Sequence, residues 1–257
     1  MKRSSIFKSQ AASRLITRSF PACLFWLVLG VTLAGLAAVQ PLAEWGSKYA
    51  TPGVMLTVSE LRRDTKGGKT IVVYKLTTSG LPQDKVYTLW SKELGREAEA
   101  PWSGLRLDTS GNVLVEQSGK AGEFRLTLSE YARGEPLEVM LVSNDRTQRG
   151  YARIIPHPIE AKGSSCRLSA QVGSQRGDVF GILGEGFEPG EEVVTESRSN
   201  GEVVQSKQVI PTDGKFGVVV TPGVTGKQSG TASFTVTGKN CTVSLSYEWG
   251  PSALKPQ

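Results

Sequence analysis

Histidine occurs once in this 257-residue chain, at position 157, and cysteine only three times. The single histidine removes most nucleophilic catalysis at a stroke. A serine triad needs a histidine base beside the serine, and a cysteine nucleophile needs a free thiolate. His157 sits between prolines in Ile155-Pro156-His157-Pro158-Ile159, a stiff extended connector, with no second histidine to share a metal. It reads as a solvated side chain. Calcium is poorly provided for as well: no Asp-x-Asp-x-Asp spacing is present. Helix-period patterns are scarce, whereas glycine is abundant, with 29 residues, which suits short strands joined by tight turns.

Acids are absent from the first nineteen residues, which carry Lys2, Arg3, Lys8, Arg14 and Arg18. Residues 20–39 (FPACLFWLVLGVTLAGLAAV) then run without a charge. A basic head before an apolar run is an export signal or a membrane anchor. Signal cores run about 7–15 residues and spanning helices about 20, so the length alone leaves both open. Small residues at Gly35 and Ala37 permit cleavage after Ala37 or Ala38. Either way, the cations lie on the cytoplasmic side and the rest of the chain outside, in the periplasm or at the cell surface. Cys23 precedes the apolar core instead of following it, so it reads as an unmodified apolar residue and not as a lipid attachment site.

The net charge of +6 is concentrated in this head. Beyond residue 43 there are 25 Lys and Arg against 24 Asp and Glu, so no nucleic-acid surface is implied. The exported part is long enough for one or two domains. It holds only Cys166 and Cys241, an even count in an oxidising compartment.

Strand signals recur at short spacing through residues 50–157: 54–58, 71–76, 86–90, 105–107, 113–115, 124–128, 137–142 and 151–155. Turn signals such as Asp108-Thr109-Ser110-Gly111-Asn112 separate them, and 129–133 reads as one helical turn. This is the pattern of an all-β sandwich. Residues 158–163 read as a linker, 164–250 as a second sandwich, and 251–257 as a tail. The second sandwich shows strand signals at 166–172, 179–183, 203–210, 216–220, 232–237 and 241–249, the last two joined by a tight turn at 237–240.

The stretch GEGFEPGEEV (184–193) resembles the G-x-G-F-x-P-G-E-x-V turn of immunoglobulin-like modules in bacterial cell-surface proteins, and PTDGKF (211–216) resembles their following D-x-G-x-F turn. The resemblance covers about 80 residues and implies an immunoglobulin-like β-sandwich, with no ligand or partner attached. The first module echoes it: Asp108 follows Gly80 by 28 residues, and Asp213 follows Gly186 by 27. Two copies of one sandwich type in tandem, behind the apolar export or anchor segment, are therefore expected.

In such modules the first and last strands can lie side by side. Alternation then turns Cys166, Leu168, Ala170 and Val172 inward together with Cys241, Val243, Leu245 and Tyr247, which brings the two sulfurs within reach of a disulfide; the alternative is two buried free thiols. Glu185, Glu188, Glu191 and Glu192 cluster at one corner and read as a solvated turn. Trp90, Trp102, Trp249, Tyr87 and Tyr247 supply aromatics for a sugar platform, although aromatics in sandwiches are more often core. Trp102, in Ala100-Pro101-Trp102-Ser103-Gly104, is the best candidate for an exposed binding aromatic in a loop.

These readings converge on an exported, non-enzymatic cell-envelope protein with a binding or spacer role toward another envelope protein or a matrix component, without cofactor, metal or catalytic residues. A carbohydrate-binding accessory module is the second reading. A glycoside hydrolase or other hydrolase working through two facing acids is the third.

Overall fold

A computed structural model describes Leu42 and residues 44–117 and 119–257. The apolar run 20–39, Cys23 and the sites of cleavage lie outside the described residues. Among the described residues the regular elements are all β-strands, apart from two short 3-10 turns.

Two sheets enclose the first core. The smaller has the order β1-β2-β7: β1 (Met55–Lys66), β2 (Lys69–Ser79) and β7 (Arg125–Ser129). The larger holds β3 (Tyr87–Glu93), β4 (Glu99–Leu107), β5 (Val113–Gln117), β6 (Lys120–Glu123), β8 (Leu137–Ser143) and β9 (Arg149–Ile154), in the order β6-β5-β4-β3-β8-β9. All pairs are antiparallel. Period-2 side chains fill the space between the sheets: Val72, Tyr74, Leu76, Leu126 and Leu128 face Tyr87, Leu89, Leu105, Val139 and Leu141.

Strand β8 departs from alternation because both its faces are buried. Val139 and Leu141 enter the core, while Met140 and Val142 pack on the other side with Trp90 and Leu42. Leu42 and residues 44–49 cover this outer face, which explains why LEVMLVS is nearly continuously apolar.

The second core lies between two four-stranded sheets. One has the order β10-β11-β12-β15: β10 (Ile159–Lys162), β11 (Arg167–Val172), β12 (Phe180–Glu185) and β15 (Lys215–Val220). The other has the order β14-β13-β16-β17: β13 (Glu192–Ser199), β14 (Glu202–Val209), β16 (Gly230–Thr237) and β17 (Thr242–Trp249). Both halves share one strand order. The order β1-β2-β7 corresponds to β11-β12-β15, and β4-β3-β8-β9 to β14-β13-β16-β17. The first half adds the β5–β6 hairpin and the second adds β10.

The turns repeat too. Gly80 and Gly186 both take positive φ (82° and 79°) and are each followed by a buried apolar residue, Leu81 and Phe187. A Cβ on Gly80 would lie 2.7 Å from the Gly53 carbonyl oxygen, and one on Gly186 would lie 2.4 Å from that of Ser165. At both positions only glycine allows the preceding segment to approach.

Several local expectations are corrected. Residues 129–133 form no helical turn: Glu130 adopts φ 66°, which breaks a helix, and Ala132 forms a β-bridge with Pro256. The expected linker 158–163 contains β10, because Ile159 is buried and pairs with Ala170 of β11. The expected tail 251–257 folds back as a 3-10 turn, Gly250–Leu254, and a bridge. Strands β6 and β13 were not expected. Polar residues dominate β13, where Thr195 is buried with its hydroxyl 2.8 Å from that of Ser206.

Candidate functional site

The disulfide joins Cys166, just before β11, to Cys241, just before β17, with Cα atoms 6.1 Å apart. The strands it ties are not neighbours in one sheet, as the sequence reading had them. They lie in opposite sheets, so the bond closes one end of the sandwich from face to face. Their inward residues line the core: Leu168, Ala170 and Val172 from β11, and Val243, Leu245, Tyr247 and Trp249 from β17. A Cβ on Gly163 would lie 2.6 Å from the Cys241 Sγ, so glycine is what leaves room for the sulfurs.

Two shallow clefts flank this end, of 340 and 210 Å³. Their carboxylates are already engaged. Glu185 pairs with Arg167 and, at 3.5 Å, with Lys215. The hydrogen bond from Arg167 and the charges of both cations hold its carboxyl below the usual range. Glu191 accepts from the backbone amides of Glu188 and Lys239, both at 2.8 Å. Glu188 accepts from Asn240 Nδ2, and Glu192 pairs with Lys207 at 2.7 Å. The acids thus tie a turn to a hairpin end. Among the described residues no three of His, Cys, Asp and Glu gather as a metal cluster.

The aromatics do not form a platform. Tyr87, Trp90, Tyr247 and Trp249 are all buried. Burial pushes the phenols of Tyr87 and Tyr247 up to about 12. Tyr87 donates to the Pro82 carbonyl at 2.5 Å, and the Tyr247 ring lies 4.5 Å from that of Phe180. Trp102 is not in a loop. It lies within β4 opposite Leu89, half-buried, with its ring edge-on to Phe124 at 5.5 Å. The packing against Phe124, 22 positions further along the chain, is what withdraws it from solvent.

A set of long-range polar contacts lies at the junction of the two halves, which the sequence reading missed. Gly134, in the loop before β8, donates its N–H to the His157 carbonyl at 2.7 Å and accepts from the Val172 N–H at 2.8 Å. Gly134 has φ 73°, and a Cβ there would lie 2.8 Å from Ile159 Cδ1. Gln175 Nε2 donates to the carbonyls of Leu94 and Gly95 at 3.3 and 3.0 Å, and Leu94 packs on the second core. Arg153 reaches Gln171 at 3.3 Å and Glu138 at 2.6 Å.

His157 belongs to this junction and is not a free linker side chain. Its Nδ1 lies 3.3 Å from Arg63 Nη1, while Arg63 Nη2 donates to the Pro156 carbonyl at 2.9 Å and pairs with Glu60. Burial, and then the positive charge of Arg63, lower the imidazole's proton affinity.

The end of the chain completes the junction as a strap. After the turn Gly250–Leu254, Pro256 bridges to Ala132, Gln257 N donates to the Tyr131 carbonyl at 3.1 Å, and Thr70 N donates to the Gln257 carbonyl at 3.2 Å. Tyr131 is half-buried here, and desolvation together with nearby Glu93 raises its hydroxyl well above the usual range. No pattern in the sequence marks these contacts. The one legible hint was the glycine at 134, next to a charged pair in Arg133-Gly134-Glu135.

No protein-family model matches this chain, and no curated protein matches it. Among solved structures it is similar to a tetra-tandem repeat in the extending region of a large adhesion protein, at 12% sequence identity and a TM-score of 0.28. The match covers 76% of this chain and 49% of that one, so the chain spans about half the length of the solved repeat.

Proposed function

We propose that this chain is an exported, non-enzymatic envelope protein whose two immunoglobulin-like β-sandwich domains, near residues 50–157 and 164–250, act together as a spacer that presents a surface to another envelope protein or matrix component. The basic head and apolar run support export, to the periplasm or the cell surface, with the chain either tethered to the membrane or released after cleavage. The disulfide fits an oxidising compartment. The shared strand order supports two copies of one sandwich type.

The observation that carries the spacer reading is the junction. Hydrogen bonds from Val172 to Gly134, from Gln175 to Gly95 and from Arg153 to Gln171 join the halves, and the strap at Gln257 adds a second crossing of the chain. A connector alone would leave two beads on a string. Contacts this widely separated in sequence hold one geometry. The sugar-binding reading has lost its platform, because four of its five aromatics are buried. A hydrolase would need two acids across a cleft, and the acids lining the clefts are engaged in turn ties or in ion pairs between strands.

The test is a distance distribution between spin labels, one on each domain. A single narrow distribution is expected. A broad one would remove the basis for a spacer and leave two independently moving binding modules.

A further inference from the structure

The first residue in the chain with a described place, Leu42, is already packed. It is 7% exposed and lies against Trp90, Met140 and Val142 on the outer face of the six-stranded sheet. The residues after it are pinned to the same face. Glu44 forms an ion pair with Arg149, Trp45 Nε1 donates to Glu138 Oε2 at 2.5 Å, and Thr51 exchanges two hydrogen bonds of 2.9 Å with Arg149. Glu138 also accepts from Tyr151 OH and Arg153. Residues 44–51 are therefore part of the domain and cannot serve as a stalk.

This fixes the length of any tether. The apolar run ends at Val39, where polar Gln40 follows, three residues before Leu42. Three residues of any conformation span at most about 11 Å. Had the domain begun at Ala50, the same arithmetic would have allowed about 40 Å. The polar layer on each side of a bilayer is itself about 5–8 Å deep. A chain that keeps its apolar run in the membrane thus holds the Leu42 face within roughly one headgroup layer of the hydrocarbon.

The composition of that face suits the position. Trp45, Tyr49 and Tyr151 are half-exposed there, and exposed Lys48 carries its ammonium 5.0 Å from the centre of the Tyr49 ring. Tryptophan and tyrosine concentrate at the headgroup level, where a ring with one apolar and one polar side is at home.

We propose that the outer face of the six-stranded sheet, with Leu42 and residues 44–49 laid across it, is a lipid-headgroup contact surface that seats the first domain directly on the bilayer. The proposal rests on the tethered form of the function above. It gives the spacer a base: the first domain is fixed at the membrane and the second is held to it by the junction.

The experiment uses the full chain, with Cys23→Ser to leave one engineered thiol for labelling, in phosphatidylcholine vesicles carrying an acceptor dye on a fraction of the headgroups. A donor is placed at Lys48→Cys, or at Val219→Cys in the second domain, where the side chain is 76% exposed. Transfer from position 48 should exceed that from 219 severalfold. Insertion of about twelve Gly-Ser residues between Pro41 and Leu42, with a root-mean-square reach of about 20 Å, should lower transfer from 48 roughly twofold or more. Equal transfer from the two positions, or transfer from 48 that ignores the insertion, would overturn the headgroup contact. The mass of the cell-made chain separates the two ideas. An intact N-terminus with weak transfer removes the contact and keeps the tether, whereas a chain beginning after Ala37 or Ala38 removes the tether and the proposal with it.

Discussion

The backbone N–H of Gly134 points at the carbonyl of His157, 2.7 Å away, and so joins a loop of the first half to the connector leading into the second. Gly134→Ala should loosen this joint. The residue has φ 73°, and the new Cβ would stand 2.8 Å from Ile159 Cδ1 and 3.2 Å from the Ala170 carbonyl oxygen. A non-glycine residue forced into this region costs about 1–3 kcal/mol. Chemical denaturation should show that loss, and interdomain label distances should broaden. Gly104→Ala is the control, since Gly104 has φ 72° but nothing near its Cβ position. It should cost stability without broadening the distances.

Replacing Pro156 and Pro158 with Gly and Ser should leave the distance distribution narrow, because contacts away from the connector set the geometry. Removing residues 255–257 in addition should broaden it, since the bridges to Ala132, Tyr131 and Thr70 go with them. Broadening by the proline changes alone would show that the connector, and not the interface, governs the joint.

Reducing the Cys166–Cys241 bond should destabilise the second domain. A sequence separation of 75 residues corresponds to roughly 4 kcal/mol in the chain-entropy model. Thiol titration of the unfolded, unreduced protein should find neither cysteine free. Two titratable thiols there would refute the bond.

The junction should weaken on mild acidification. Folding lowers the proton affinity of His157, so below its ordinary value near 6.5 the unfolded chain binds more protons than the folded one. Its contribution is complete above that value and is lost as pH falls toward the lower folded value. Arg63 and Arg133 oppose the protonated ring, while Glu60 favours it. The variant His157→Gln should show a flatter stability profile between pH 7 and 5 than the parent. Denaturation midpoints across that range provide the check, and parallel profiles would count against the assignment.

Leu42→Ala should destabilise the first half by about 2–4 kcal/mol, as expected for a buried leucine that closes a small cluster. Thermal melting of residues 42–257 would measure it. A change of only a few tenths would mean that the segment lies on the sheet without stabilising it.

The strands that the sequence reveals best are those with one wet and one dry face. Strand β17 alternates exposed and buried from Thr242 to Trp249, and β11 does so from Arg167 to Val172. Period-2 patterning therefore sufficed to find them and to turn both cysteines inward. Turn glycines such as Gly80 and Gly186 were legible for a similar reason, since positive φ restricts the choice of residue locally. The expectation of export rests on charge and hydropathy alone, in residues outside those described.

What the sequence could not decide lies wherever a side chain's surroundings come from distant segments. Trp102 looked like a loop aromatic until Phe124 packed against it. Ile159 looked like linker until Ala170 paired with it, and β8 gave no sign that Leu42 would cover its second face. The junction is the extreme case. Gly134 and His157, Leu94 and Gln175, and Thr70 and Gln257 lie 23 to 187 positions apart, and each pair meets through a backbone or amide group that every sequence carries. Local pattern fixes which face of a strand is dry; only the closed chain decides which segments supply the dryness, and which backbone groups meet where the two halves join.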